Sequence, residues 1–384
     1  MPLLNFFIIP FVFDAVIAAS GVVFNLIAQD LGATPFDLGM LGCVWGGSYA
    51  TFCFIVGHSS HRLPLRGTMT AAIGCFLAAV SIAHLAREPW HLCFCTFLSG
   101  LGCAMFWPLF EQLLHDADAA AHASKMTRFN MGWTSGLAAG MAASGFLKEM
   151  GSAVAINAIA ASAAVLGVYF AWATRRGLER SSEVVVDTAD ATPKPEAPMA
   201  VAAHFLWMAW LANVMLYAAY GSVSSIFPKL ARELAYPDRA IGLLLSLIVA
   251  GQAAAFWPLC RSSWWHYRLA PLLATQLVNM GALALIALSN SYVGFGVAML
   301  LLGLGRAMTY ASSLHYSLAD PAKRGRNAGI HEMLIGVAMV TGPLLGGQCA
   351  EWIALRAAFW MGVVLVGVSM VGQVGIYVRS RRGA

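Results

Sequence analysis

Charge is what this sequence has least of. Only 11% of its 384 residues are Asp, Glu, Lys or Arg, against roughly 25% in a soluble domain. That is too little to cover the surface of a water-soluble protein of this length, and it excludes intrinsic disorder equally. Polar tracts are nearly absent as well. The eight cysteines lie mostly in apolar runs, where they act as small hydrophobes, so a disulfide-stapled scaffold is excluded too. Cys93 and Cys95 point to nearly opposite sides of a helix, and no metal or cofactor is expected. The net charge of +5 is dispersed, which leaves nucleic-acid binding without compositional support. The N-terminus has neither a basic n-region nor a small-residue cleavage site, so the first apolar segment is expected to remain as a membrane span.

What is present is apolar: 59% of the chain is hydrophobic, with a mean hydropathy of +0.71. A helix crossing a bilayer core of about 30 Å takes about 20 apolar residues. Windows of that kind fall at 4–28, 37–57, 67–86, 91–114, 127–147 and 152–174. They resume at 203–227, 240–260, 269–288, 292–316, 327–349 and 357–378. The spacing predicts an all-α polytopic membrane protein with 12 transmembrane helices. With both termini cytoplasmic, 16 of the 23 Lys and Arg residues fall inside and six outside, Arg306 lying within a helix. That bias supports the count, because one misplaced span would scramble it.

The one sustained polar stretch, 177–200, is rich in Pro, Asp, Glu, Ser and Thr and reads as a linker. It divides the chain into bundles 1–176 and 201–384, which match one another at an offset near 200. Ala18-Ala19-Ser20-Gly21 pairs with Ala218-Ala219-Tyr220-Gly221, and Ser59-Ser60 with Ser262-Ser263. Gly100-Leu101-Gly102-Cys103-Ala104-Met105 pairs with Gly303-Leu304-Gly305-Arg306-Ala307-Met308, and Asn130-Met131-Gly132 with Asn327-Ala328-Gly329. Four matches in order, on equivalent helices, indicate two pseudo-symmetric six-helix repeats.

Two parallel six-helix repeats joined by a polar linker resemble the major facilitator superfamily of secondary transporters. The segment after helix 2, Gly57-His58-Ser59-Ser60-His61-Arg62-Leu63-Pro64-Leu65-Arg66, resembles that family's Gly-x-x-x-Asp-Arg-x-Gly-Arg. Gly57, Arg62 and Arg66 match, whereas His61 replaces the Asp and Pro64 the second Gly. The resemblance implies a cytoplasmic gate at Gly57, His61, Arg62 and Arg66, with His61 lending it pH sensitivity. Gly342-Pro343 on helix 11 resembles the Gly-Pro element of the family's antiporters, but sits in the opposite half. It reads as a packing bend.

Charged side chains within spans need a reason, since each costs roughly 2.5–3.5 kcal/mol at a helix centre. Asp14 and Arg306 lie deep in helices 1 and 10, Glu111 nearer the end of helix 4, and His331-Glu332 early in helix 11. Helical periodicity places Asn25 on the Asp14 face, and aligns Asn213, Tyr217, Tyr220 and Ser224 on helix 7. Arg306, Tyr310 and Ser313 share a face of helix 10, while Trp107 and Glu111 continue the face of Cys103 on helix 4. The resemblance implies that helices 1, 4, 7 and 10 border the central cavity. The candidate solute-binding set is therefore Asp14, Asn25, Trp107, Asn213, Tyr217, Tyr220, Arg306 and Tyr310, with Asp14, Glu111 and Glu332 as candidate proton carriers. For each, the alternative is structural: a buried ion pair, a solvated helix end or ordinary packing.

The function implied is transport of a small polar or amphipathic solute, anionic in view of Arg306 and coupled to protons, by alternating access. The chain is expected to act as a monomer in a bacterial inner membrane, without an enzymatic role. Multidrug efflux and a non-transporting sensor are the alternatives. No Walker-type G-x-x-x-x-G-K-[ST] is present for ATP-driven transport, and His331-Glu332 lacks the second His of H-E-x-x-H.

Overall fold

A computed structural model of the chain describes residues 2–59, 62–114, 119–175, 199–320 and 323–382. The linker expected at 177–200 lies almost entirely outside the described residues, as does His61. The described residues form twelve helices. The first six are α1 (Asn5–Asp30), α2 (Pro35–Ser59), α3 (Leu65–Ala83), α4 (His91–Gln112), α5 (Ala119–Glu149) and α6 (Ser152–Ala173). The second six are α7 (Met199–Glu233), α8 (Asp238–Arg261), α9 (Leu269–Leu288), α10 (Tyr292–Leu318), α11 (Arg324–Trp352) and α12 (Ala357–Arg382).

Eleven of the twelve are long and apolar enough to cross a membrane. The exception, α5, begins eight residues before the window expected from hydropathy and carries Lys125 in that lead-in and Arg128 just inside the window. Its remainder is diluted by Gly, Ser and Asn. The other large departure is α7, which runs 35 residues and continues through Pro228 to Glu233. Pro228 lies in the last two turns of α7, where it removes the backbone hydrogen bond its N–H would give the Ser224 carbonyl.

The repeat seen in the sequence is a repeat of contacts. A side chain at Gly100 of α4 would collide with Trp45 and Ser48 of α2, and one at Gly303 of α10 with Ile248 and Gln252 of α8. Two residues on, Gly102 faces Phe76 and Ala72 of α3, and Gly305 faces Asn279 of α9. The same Gly-x-Gly thus seats the fourth helix of each repeat against the second and third. The fifth helices repeat the pattern. Gly132, Gly136 and Gly140 of α5 bear on the backbone of Phe7, Phe11 and Ala15 in α1, as Gly342 of α11 bears on that of Ala218 in α7. Small residues four apart permit this approach of bare backbones, which substitutes for the hydrophobic drive that lipid removes.

The chain forms two compact units, Met1–Val186 with Ala231–Ser246, and Asp187–Leu230 with Leu247–Ala384. The first therefore includes the end of α7 and the first part of α8. Gly145 of α5 and Gly242 of α8 cross there with no room for a side chain on either. Ion pairs surround the crossing. Arg232 grips Asp238 with two bonds of 2.8 and 2.7 Å, and reaches Asp30 at 2.8 Å. Lys148 takes the other oxygen of Asp30 at 2.6 Å, while Arg239 pairs with Glu149 at 3.3 Å.

Candidate functional site

Helix α7 carries Asn213, Tyr217 and Tyr220 on one stripe, and all three are buried. Helix α10 carries Arg306, which is only 7% exposed. The guanidinium lies over the Tyr220 ring at 4.0 Å and over the Tyr217 ring at 4.9 Å, in a corner made by two rings inclined at 72°. Such contacts contribute about 2 kcal/mol each when desolvated. Burying a guanidinium costs several kcal/mol, and Arg306 Nε and Nη1 are both buried without a hydrogen-bond partner. The arrangement is a fixed positive charge with donors still to be satisfied. Asn213, one helical turn before Tyr217, is fully buried and neither amide atom has a partner.

Beyond Arg306 on the same face of α10 come Tyr310 and Ser313. Tyr310 packs edge-on against His331 of α11 at 5.1 Å and against Phe256 of α8 at 5.9 Å. Ser313 Oγ hydrogen-bonds His331 Nδ1 at 2.7 Å. Ser317 donates to the Ser313 carbonyl at 2.7 Å and accepts from the Trp210 indole at 2.9 Å, which ties α7 to α10. His331 is fully buried, and its Nε2 lies 3.8 Å from the exposed carboxylate of Glu332. Arg306, Tyr217, Tyr220, Tyr310 and His331 thus belong to one polar and aromatic cluster in the second unit.

The first unit holds the other expected residues. Asp14 is buried in α1 with Oδ2 lacking a hydrogen-bond partner. Asn25 is buried and accepts from Gln29 at 2.8 Å. Trp107 joins a ring cluster, edge-on to Phe13 at 5.3 Å, Phe106 at 5.1 Å and Phe129 at 5.7 Å. That packing gives it a core role beside whatever it lends a solute. Glu111 is exposed near the end of α4. At the expected gate, Gly57 has open space about its Cα, the Arg62 amide donates to Ser59 at 2.9 Å, and Arg66 donates to the Ala171 carbonyl at the end of α6 at 3.1 Å.

Further buried amides, among them three on α8 and α9, were not singled out by the sequence. Gln252, Gln276 and Asn279 each have at least one side-chain atom without a partner. Each lies in an apolar run on α8 or α9, and only the polar residue within that run hinted at it. The ion pairs about Asp30 were missed because each charge, read alone, was a loop or helix-end residue.

Twelve helices in two like repeats, with buried polar clusters inside apolar spans, define a multi-pass membrane transporter. A sequence profile of the Major Facilitator Superfamily matches residues 6–317 and again 209–383, so the chain belongs to that family. As a member of that family it is a membrane transporter. A multidrug resistance protein, MdtH of Aeromonas hydrophila subsp. hydrophila, is 28% identical over 154 residues, 39% of each chain. An uncharacterised MFS-type transporter of Mycobacterium tuberculosis is 30% identical over 124 residues, 30% of this chain and 18% of its own. These matches span well under half the length of the curated relatives. Among solved structures, the nucleoside transporter NupG superposes with a TM-score of 0.73 at 12% identity, over 98% of this chain and 99% of its own. A bacterial homologue of the human lysosomal transporter Spinster, inward-facing and occupied, gives 0.75 at 14% over 99% and 96%. Identities this low speak for the fold alone.

Proposed function

We propose that the chain is a secondary active transporter that moves a small anionic solute by alternating access, with Arg306 holding the anionic group. The observation that carries this is Arg306 itself, buried with Nε and Nη1 unpaired between two tyrosines. Its repeat-mate is Cys103, so the scaffold's symmetry does not require a cation there. A permanent charge whose planar fork matches an oxyanion is suited to bind one. Proton coupling is assigned to Asp14 and Glu332, carboxyl groups able to load and release a proton within the protein. The chain works as a monomer in a bacterial inner membrane, with both termini and the 177–200 linker in the cytoplasm and a gate at Gly57, Arg62 and Arg66.

Screening anionic metabolites against the purified protein by thermal shift, then measuring flux of the hits in proteoliposomes, tests this. A bound solute raises the melting temperature by mass action. Arg306→Lys keeps the charge but loses the fork and is expected to weaken binding about tenfold or more; Arg306→Gln is expected to abolish it. Wild-type affinity in Arg306→Gln sinks the proposal. A second reading, multidrug export, is favoured by the similarity to the multidrug resistance protein and by the aromatic walls. It predicts that lipophilic cations bind better than anions.

A further inference from the structure

We propose that the solute is an organic monocarboxylate with an apolar or aromatic body and a neutral hydroxyl or amide, as opposed to a phosphate ester or a dicarboxylate. This rests on the reading of Arg306 as the anion-holding residue and adds the class of anion. Three observations carry it, all within the second unit.

The first is a charge count. Arg306 is the one buried Lys or Arg of the second unit among the described residues. A monocarboxylate brings one negative charge and cancels it. A phosphate monoester brings about −1.5 to −2, and a dicarboxylate brings two. Either leaves an uncompensated charge in a site where each buried ion costs several kcal/mol.

The second is shape. The rings of Tyr217 and Tyr220 border the guanidinium on two sides, and ring faces carry the negative part of the aromatic quadrupole. The free donors, Nε and Nη1, lie in the guanidinium plane. A planar carboxylate meets either of these donors without leaving that plane. The oxygens of a tetrahedral phosphate or sulfonate cannot all lie in it.

The third is Asn213. Its amide offers a donor and an acceptor, both fully buried and unpartnered, one turn from Tyr217 on the same stripe. Unmet buried amide groups are destabilising. A hydroxyl or amide on the solute satisfies both atoms, and the tyrosines supply the apolar wall between the two polar points.

The test is isothermal titration of the full chain in lipid nanodiscs with five probes: benzoate, 4-hydroxybenzoate, phenyl phosphate, phthalate and benzyl alcohol. Benzoate is expected to bind measurably at concentrations up to about 10 mM, and 4-hydroxybenzoate about three- to tenfold more tightly. Asn213→Leu is expected to remove that preference. Phenyl phosphate and phthalate should bind at least about tenfold more weakly than benzoate. Phenyl phosphate or phthalate matching benzoate overturns the monocarboxylate inference and leaves Arg306 as an anion site. Benzyl alcohol matching benzoate, or unchanged benzoate binding in Arg306→Gln, overturns the anion site as well. No benzoate binding to a protein with an intact melting transition also overturns the inference. The comparison among probes is made on the wild-type chain, so it stands even if a variant fails to fold.

Discussion

At the scale of single residues, the buried histidine of the second unit depends on one hydrogen bond. His331 has no exposure, and its Nδ1 meets the Ser313 hydroxyl. Ser313→Ala removes that partner and leaves the imidazole nitrogen buried and unpaired, at a cost of about 1–3 kcal/mol. The expected result is a lower melting temperature in detergent, with Ser313→Thr largely preserving it; no change on Ser313→Ala would mean the bond contributes nothing. Much of this cluster was legible in advance, because a charge or amide inside an apolar helix stands out and helical periodicity assigns it a face. Arg306, Tyr310 and Ser313 were aligned that way, as were Asn213, Tyr217 and Tyr220. The partner of Ser313 was not legible. His331 lies eighteen residues on, and periodicity within a helix says nothing of which neighbour that helix faces. Trp107 shows the opposite limit: the stripe that marked it as solute-facing is also the stripe of an aromatic core.

At the scale of helices, glycine placement decides which pairs approach closely. Gly136 bears on the backbone of Phe11, whereas a Cβ at Gly74 of α3 meets nothing within 4 Å. Gly136→Val is therefore expected to push α5 from α1 and destabilise the protein by about 1–3 kcal/mol, the usual range for overpacking. Gly74→Ala should leave the melting temperature nearly unchanged. Equal effects from both would show that the glycine contacts do not discriminate. The spacing of Gly132, Gly136 and Gly140 announced a tight interface in the sequence without naming the partner helix. Hydropathy located all twelve helices but misjudged the ends of α5 and α7. Charged and proline-containing turns of helix at span ends look like loops to a hydropathy window, although their backbone hydrogen bonds continue.

On the scale of the whole molecule, the proposed topology places the 177–200 linker and the end of α12 in the cytoplasm. Reporters fused within that linker and after Arg382 should both report a cytoplasmic location. An external position for either breaks the assignment of twelve crossings, to which α5 contributes one despite its lower hydropathy. The two-repeat architecture was legible in the chain because a glycine pair recurs on equivalent helices, and a recurring contact demands a recurring residue. The membership of the compact units was not, since sequence continuity suggests a division at the linker and nowhere else. The first unit takes in Ala231–Ser246 as well, and with it Arg232, Asp238, Arg239 and Gly242. Severing the polypeptide at the linker would thus not release two self-sufficient fragments. The leading fragment would keep its Lys148–Asp30 pair but lose Arg232 from Asp30 and Arg239 from Glu149, and would need the trailing one supplied in trans to complete its own fold.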